Sequence, residues 1–367
     1  MRDLRVAIVH ERFTETGGSE RVVEQMHAIW PHATVHAAVV DHSALPPGLA
    51  DADVQPTGLQ RMYRGGPGYA HLLPLLPWAM AHIDVGDVDL VVTSHHAFAN
   101  RVSVPEQCLV LSYTHTPARW IWDRRLRAYE GGFGSQFGLA AFAATQRKAD
   151  RRAAQRPDAI LANSTHVANR VERWWGRSST VLHPPVDVSR FTPDPSVTRE
   201  DFFLLAGRLV PYKRPEVAAA AARHAGVKLV VAGEGRSKGA VIDAGGSHVE
   251  VLGGVDDSTL LDLFRRCKAL VFPGEEDFGI VPVEAQACGA PVIALGVGGA
   301  LDSVIDGVSG CLVPPAQPGG EVAALARHLA TFDSGLYDPG AIRQHAEKFS
   351  PENFRAGMLR AVEGLRT

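Results

Sequence analysis

Short aliphatic and β-branched runs alternate with longer stretches of helical periodicity along almost the whole chain, and no other feature narrows the fold as much. The runs occupy residues 4–10, 34–39, 89–93, 108–113, 159–162 and 180–182, then 202–206, 228–232, 249–252, 269–272, 291–295 and 310–313. Runs of this kind, spaced widely enough for a crossover helix, pair as parallel strands with helices on both faces. Between the two series lies the stretch from His183-Pro184-Pro185 to Pro193-Asp194-Pro195, which has neither periodicity and reads as an interdomain linker. A chain of 367 residues also exceeds the roughly 250–300 at which one core usually splits. The expected architecture is α/β: a Rossmann-like, doubly wound domain over 1–186, a linker over 187–200 and a second such domain over 201–349. Ser350 before Pro351 reads as an N-cap with Pro at the first helical position, so a last helix is expected over 351–365. That C-terminal segment, 350–367, is expected to pack back on the first domain.

Composition removes several classes of function. Net charge is −3, which gives no basic excess for nucleic acid. Cys108, Cys267, Cys288 and Cys311 are widely spaced and form no Cys-x-x-Cys pair, so neither a zinc site nor a disulfide framework is expected. The N-terminus runs directly into the first strand, leaving no room for a signal peptide, and no apolar run reaches the ~18 residues of a membrane span. A cytoplasmic protein is expected, with any membrane contact peripheral and on the inner face.

Ligands of doubly wound domains bind outside the carboxyl ends of the strands, which places the expected site in the cleft between the two halves. In Gly274-Glu275-Glu276-Asp277-Phe278-Gly279-Ile280-Val281-Pro282-Val283-Glu284-Ala285, the carboxylates Glu276 and Glu284 bracket a Gly turn that opens a helix. A helix N-terminus presents N–H groups and a partial positive charge that hold phosphate, while flanking carboxylates accept from sugar hydroxyls. A capped surface helix with acidic first-turn residues fits the same pattern. Gly17-Gly18-Ser19-Glu20 opens a helix after the first strand, either as a phosphate or sugar approach or as a plain Gly turn. His115, in Tyr113-Thr114-His115-Thr116-Pro117, stands at the end of another strand. Gly207-Arg208-Leu209-Val210-Pro211-Tyr212-Lys213 supplies a guanidinium fork and a point charge suited to a diphosphate, with solvated surface charge as the competing reading. Ala232-Gly233-Glu234-Gly235 reads as a tight turn more readily than as a ligand site.

In order and spacing, Gly17-Gly18, Arg208 with Lys213, Val255-Asp256-Asp257, Glu276 with Glu284, Gly289-x-Pro291, Gly298-Gly299 and Asp306-Gly307 resemble one known family. It is the large retaining GT-B glycosyltransferase family that includes sucrose synthase and bacterial phosphatidylinositol mannosyltransferases. The likeness covers nearly the whole chain and is strongest over 203–315. Residues 113–117 and 207–214 most resemble bacterial GDP-mannose-dependent mannosyltransferases of surface-polysaccharide and glycolipid pathways. Two positions depart from the pattern: Arg214 stands where a Gly usually follows the lysine, and Asp277 replaces the commoner Ser or Thr.

The resemblance implies two facing domains and a retaining hexosyltransferase. Arg208 and Lys213 would bind the diphosphate and stabilise it as it leaves, helped by backbone N–H groups of Phe278, Gly279, Ile280 and Val281. Glu276 would hold hydroxyls of the transferred sugar, and His115 would approach that sugar from the other domain. Glu284 would accept from the ribose diol, Asp277 and Val255 would line the donor site, and Gly17 and Gly18 would close over the diphosphate. No catalytic metal is expected: Asp87-Val88-Asp89 precedes its strand, on the wrong end of the sheet, and His95-His96 has no carboxylate at ligand spacing. With no obvious carboxylate nucleophile, attack from the face that the leaving group departs is expected, the leaving phosphate taking the acceptor proton.

For the donor, guanine offers adjacent N–H groups that one carboxylate can accept together, and Asp257 occupies the matching position. GDP-mannose is the expected donor, a UDP-sugar the alternative, and helix capping the competing role for Asp256 or Asp257. The acceptor, a glycan or glycolipid, is expected on the first half. There Arg119, Arg124, Arg125, Arg127, Arg147, Lys148, Arg151, Arg152 and Arg156 outnumber Asp123, Glu130 and Asp150, with Trp120, Trp122, Phe133 and Phe137 interleaved. With the apolar stretch 71–78 this patch could meet an anionic membrane, or it could be a solvated helix face over core aromatics. A noncatalytic nucleotide- or glycan-binding protein on the same scaffold is the rival class.

Overall fold

Aliphatic runs with no polar alternation become strands covered on both faces. The computed structural model describes residues 4–127 and 133–366, and the chain divides into two units, Met1–Pro185 with Pro351–Thr367, and Val186–Ser350. The first unit is built on β1 (Val6–His10), β2 (Thr34–Ala37), β3 (Val54–Pro56), β4 (Leu90–His95), β5 (Leu109–Thr114), β6 (Ala159–Ala162) and β7 (Thr180–Val181). These pair in parallel in the order β3-β2-β1-β4-β5-β6-β7. β1 and β4 are buried along their whole lengths, as strands under helices on both sides must be. Strand order reverses between them, which makes their carboxyl ends the natural ligand crevice.

β3 has no aliphatic run and was not expected from the sequence; it sits at the sheet edge, where Pro56 need donate no ladder bond. The last helix, Pro351–Leu365, lays Phe354, Met358 and Val362 into the first unit's core at fourfold spacing. Tyr113 packs edge-on to Phe354 at 5.4 Å.

The second unit carries β8 (Phe203–Ala206), β9 (Leu229–Ala232), β10 (Val249–Gly253), β11 (Ala269–Phe272), β12 (Val292–Leu295) and β13 (Gly310–Val313). All pair in parallel, in the order β10-β9-β8-β11-β12-β13, with the reversal between β8 and β11. The segment 187–200, read from sequence as a linker, is held against this unit. Val186, Val188 and Phe191 are buried in its core, and the Arg199 guanidinium donates to the carbonyls of Phe264, Cys267 and Cys288 at 2.8–3.1 Å. Proline removed the periodicity of this segment without removing its apolar anchors. Among the described residues no helix is long and apolar enough to cross a membrane.

Candidate functional site

In the second unit the loops leaving β8 and β11, the two strands at the reversal, carry the cations and the first carboxylate. A single turn, Pro211–Lys213, follows β8 and brings Lys213 Nζ to 2.7 Å from Glu276 Oε1, where the side chains are 19% and 16% exposed. Arg208, Lys213 and Glu276 line one hollow of about 280 Å³ together with Gly207, Phe272 and Pro273. The Arg208 loop is fixed from below. Gly207 N–H donates to the Ala232 carbonyl at 3.0 Å and Leu209 N–H to that of Glu234 at 2.8 Å. A Cβ on Gly233 would lie 1.9 Å from the Gly207 carbonyl oxygen, so the Gly233-Glu234-Gly235 turn serves close packing.

Glu276 is seated in the same manner. Gly299 N–H donates to the Glu276 carbonyl at 2.8 Å, and a Cβ on Gly299 would lie 2.2 Å from Phe278 Cα. The helix Ile280–Ala287 starts directly after this loop, and its N-cap is Gly279, which offers no side-chain oxygen to the first-turn N–H groups. Phe278 is buried against Phe349, centroids 5.4 Å apart; Ile280 and Val281 pack on the same core, and Asp277 and Glu284 are partly exposed. Arg214, at the departure after the lysine, has φ +54° and is the one non-glycine residue with positive φ among those described. Its guanidinium meets Glu321 at 3.2 Å. The backbone thus keeps the left-handed turn that a Gly adopts freely.

At the base-reading position, Asp256 caps the helix Asp257–Arg266 by accepting from Thr259 N–H at 2.8 Å. Asp257, 71% exposed, is ion-paired with Arg190 of the same unit, and Val255 packs partly buried on the core.

In the first unit, β1, β4 and β5 bring together residues distant in sequence. The register sets His10 opposite Ser94 and Ser94 opposite Tyr113, next to His115. Ser94 Oγ lies 2.8 Å from His115 Nε2 and 3.0 Å from His10 Nδ1. His10 Nε2 lies 3.4 Å from Glu20 Oε1, whose other oxygen accepts from Gly17 N–H at 3.0 Å and from the Ser19 hydroxyl at 2.9 Å. Gly17 is the N-cap of the helix Gly18–Ile29. Burial pushes the Glu20 carboxyl up, but hydrogen bonds from His10, the main chain and Ser19 outweigh it and hold the group below its ordinary range. Beside this chain, burial and then Arg12 hold His96 well below the usual imidazole range.

The remaining candidates are occupied structurally. Asp87 and Asp89 both pair with Arg5. Glu11, just after β1, approaches His95 Nδ1 at 3.7 Å, and its Oε1 accepts four backbone N–H groups of residues 96–99. In the basic segment, Arg127, Arg147, Arg151 and Arg156 each donate to main-chain carbonyls, Trp120 stacks on Phe142 and Trp122 stacks on Trp174. Arg124, Arg125, Lys148 and Arg152 remain exposed, and Phe137 is 71% exposed. Glu130 and the Phe133 side chain lie outside the described residues. Among the described residues no group of three or more His, Cys, Asp or Glu is arranged to hold a metal ion.

With this geometry in place, comparison with known proteins is direct. The family described as Glycosyl transferases group 1 matches residues 191–332, and Glycosyltransferase Family 4 matches residues 16–190. The second half of the chain thus matches the group 1 glycosyltransferases and the first half Glycosyltransferase Family 4. D-inositol 3-phosphate glycosyltransferase 2 of Catenulispora acidiphila is 36% identical over 248 residues, 57% of this chain and 57% of that protein. The D-inositol 3-phosphate glycosyltransferase of Kribbella flavida is 33% identical over 234 residues, 53% of this chain and 54% of its own. The chain spans about half the length of these curated relatives. Sucrose-phosphate synthase of Thermosynechococcus elongatus superposes with a TM-score of 0.71 at 18% identity, over 98% of this chain and 99% of that one. Anabaena Alr3699/HepE, solved in complex with UDP and glucose, gives 0.68 at 17% identity, over 98% and 100%. The fold of this chain is therefore GT-B, with two Rossmann-like domains.

Sequence reasoning did not group His10, Glu20 and Ser94 with His115. Glu20 had a readable signal, standing three residues after the N-cap as in a capping box. Ser94 had none, because only strand pairing brings it between two imidazoles.

Proposed function

We propose that the chain transfers a hexose from a nucleoside-diphosphate sugar to a glycan or glycolipid acceptor, with retention and without a catalytic metal. The observation that carries this reading is the grouping of Arg208, Lys213 and Glu276 in one hollow beside a helix start without a side-chain cap. Two fixed cations and main-chain N–H groups suit a departing diphosphate, where charge develops in the transition state. Glu276 then orients the sugar and Glu284 takes the ribose diol. The names of the curated relatives support glycosyl transfer to a hydroxyl acceptor.

For the donor we retain mannose from GDP-mannose, because Asp257 is exposed at the start of its helix and able to accept paired N–H groups of guanine. A UDP-sugar is the second reading, favoured by the engagement of Asp257 with Arg190. Calorimetry of GDP and UDP separates them: tighter GDP binding that weakens in Asp257→Asn supports guanine, and the reverse order removes the mannose assignment. For the acceptor, exposed Phe137 with Arg124, Arg125, Lys148 and Arg152 supports peripheral docking on anionic lipid at the inner face of a membrane. Liposome co-sedimentation insensitive to anionic lipid content would argue against it.

A further inference from the structure

Arg214 holds a backbone state that its residue type disfavours twice. At φ +54° and ψ +43° it lies in the left-handed region, and it is the N-cap of the helix Pro215–Ala225, where the dipole opposes a cation. A non-glycine residue stays in such a state when its surroundings impose it. Glu321 supplies one such contact: its Oε1 meets the Arg214 guanidinium at 3.2 Å, while its Oε2 accepts from Gly319 N–H at 2.8 Å. The carboxylate thereby stands fixed at the start of the helix Glu321–Thr331, which packs on Pro215–Ala225. Both members of the pair line a hollow of about 310 Å³, and Pro273 in its wall also borders the hollow of Lys213 and Glu276.

Lys213 is the residue that this turn carries. Its N–H donates to the Val210 carbonyl at 3.0 Å and that of Arg214 to the Pro211 carbonyl at 3.0 Å, so Lys213 and Arg214 close the same turn. On the other side, a Cβ on Gly274 would lie 2.8 Å from Lys213 Cα and 2.8 Å from its carbonyl oxygen, so the main chain leading to Glu276 rests directly on Lys213. Rotating Arg214 out of the left-handed region would swing this turn against the helix that follows and carry the ammonium away from Glu276.

We infer that Arg214 and Glu321 are positioning residues for Lys213: their ion pair holds the left-handed turn and so sets the ammonium in the hollow it shares with Arg208 and Glu276. The use of that ammonium on a diphosphate rests on the proposed function; its placement by the pair rests on contacts within the second unit alone. Glycine needs no partner in this turn. Arginine makes the same turn depend on a carboxylate from another helix.

Arg214→Gly, Arg214→Ala and Glu321→Gln, each compared with the wild type, test this. The first readout needs no donor. Trace acetylation of the full chain is followed by peptide mass spectrometry, with exposed Lys228 as internal reference. Lys213 is expected to react equally slowly in the wild type and Arg214→Gly, and about fivefold faster in Arg214→Ala and Glu321→Gln, the scale of one part-exposed ion pair. Equal rates in every variant would overturn the inference. The second readout is GDP and UDP affinity by calorimetry, expected to weaken about fivefold in Arg214→Ala and Glu321→Gln and to be kept in Arg214→Gly. Affinity as weak in Arg214→Gly as in Arg214→Ala would assign the guanidinium to the nucleotide itself and overturn the positioning role. In the Arg214→Gly background, Glu321→Gln is expected to change neither readout; a further loss would overturn the pairing. Should Arg214→Ala not fold, Glu321→Gln with and without Arg214→Gly decides. Lys213→Ala separates this inference from the reading it rests on: unaltered nucleotide affinity there, with the acetylation rates as expected, removes the diphosphate role of Lys213 and upholds its positioning by the pair.

Discussion

Lys213 and Glu276 hold one another at 2.7 Å across the ends of β8 and β11, the two strands between which the second sheet reverses its order. Groups that the proposed function assigns to adjoining parts of the donor, diphosphate and sugar, are therefore paired with each other. The pair keeps both side chains in place inside a half-buried hollow.

Lys213→Ala is expected to lower donor turnover by roughly 10²–10³, the typical loss of one transition-state donor. Slow hydrolysis of the donor in the absence of acceptor should disappear with it. A variant that binds the nucleotide sugar and still hydrolyses it at the wild-type rate would remove Lys213 from the reaction.

Gly299→Ala should displace the loop that carries Glu276, since the new Cβ would lie 2.2 Å from Phe278 Cα. The expected cost is about 1–3 kcal/mol of stability, with weaker donor binding by calorimetry. Gly239→Ala is the control: its Cβ meets nothing within 4 Å on the helix Lys238–Gly245, and stability should rise slightly.

Arg214→Gly and Arg214→Ala should diverge. Glycine relieves a left-handed backbone worth roughly 1–2 kcal/mol while losing only the part-exposed pair with Glu321, so the denaturation midpoint should hold or rise. Alanine keeps the strain and loses the pair, so its midpoint should fall.

Asp150 predicts a pH dependence of stability. Burial is the main cause raising its carboxyl pKa, opposed by His95 and by the indole N–H bonds from Trp122 and Trp175 at 2.6 and 2.7 Å. A raised carboxyl binds its proton more tightly folded than unfolded, so this contribution is full below the ordinary Asp range and is lost as pH rises through the raised value. Denaturant titrations of Asp150→Asn across that window should show a flatter pH profile than the wild type. Asp150→Ala, which leaves the indole donors of buried Trp175 and partly buried Trp122 without this acceptor, should lose about 2–4 kcal/mol throughout.

Turnover is expected to survive chelation of divalent ions, because in the proposed function Arg208 and Lys213 supply the positive charge that a metal would otherwise bring to the diphosphate. Loss of activity with EDTA, restored by a divalent salt, would contradict this.

The strands were legible in the sequence because a parallel strand buried on both faces is written as an uninterrupted aliphatic run; twelve runs fall within about two residues of the observed strands. The edge strand Val54–Pro56 was not, since an edge needs no such run. Strand-end position also made Gly17, His115, Arg208, Lys213, Glu276 and Glu284 readable as candidates, because the switch-point rule depends on order alone. What the sequence by itself determined was thus the two doubly wound halves and the set of residues at their strand ends. Tertiary structure alone decided which of these touch: the Lys213–Glu276 pair, the anchoring of segment 187–200, and the placing of Ser94 between His10 and His115. The physical reason is that periodicity records which face of an element is buried, whereas contact between side chains depends on strand register and loop packing, neither of which leaves a local mark.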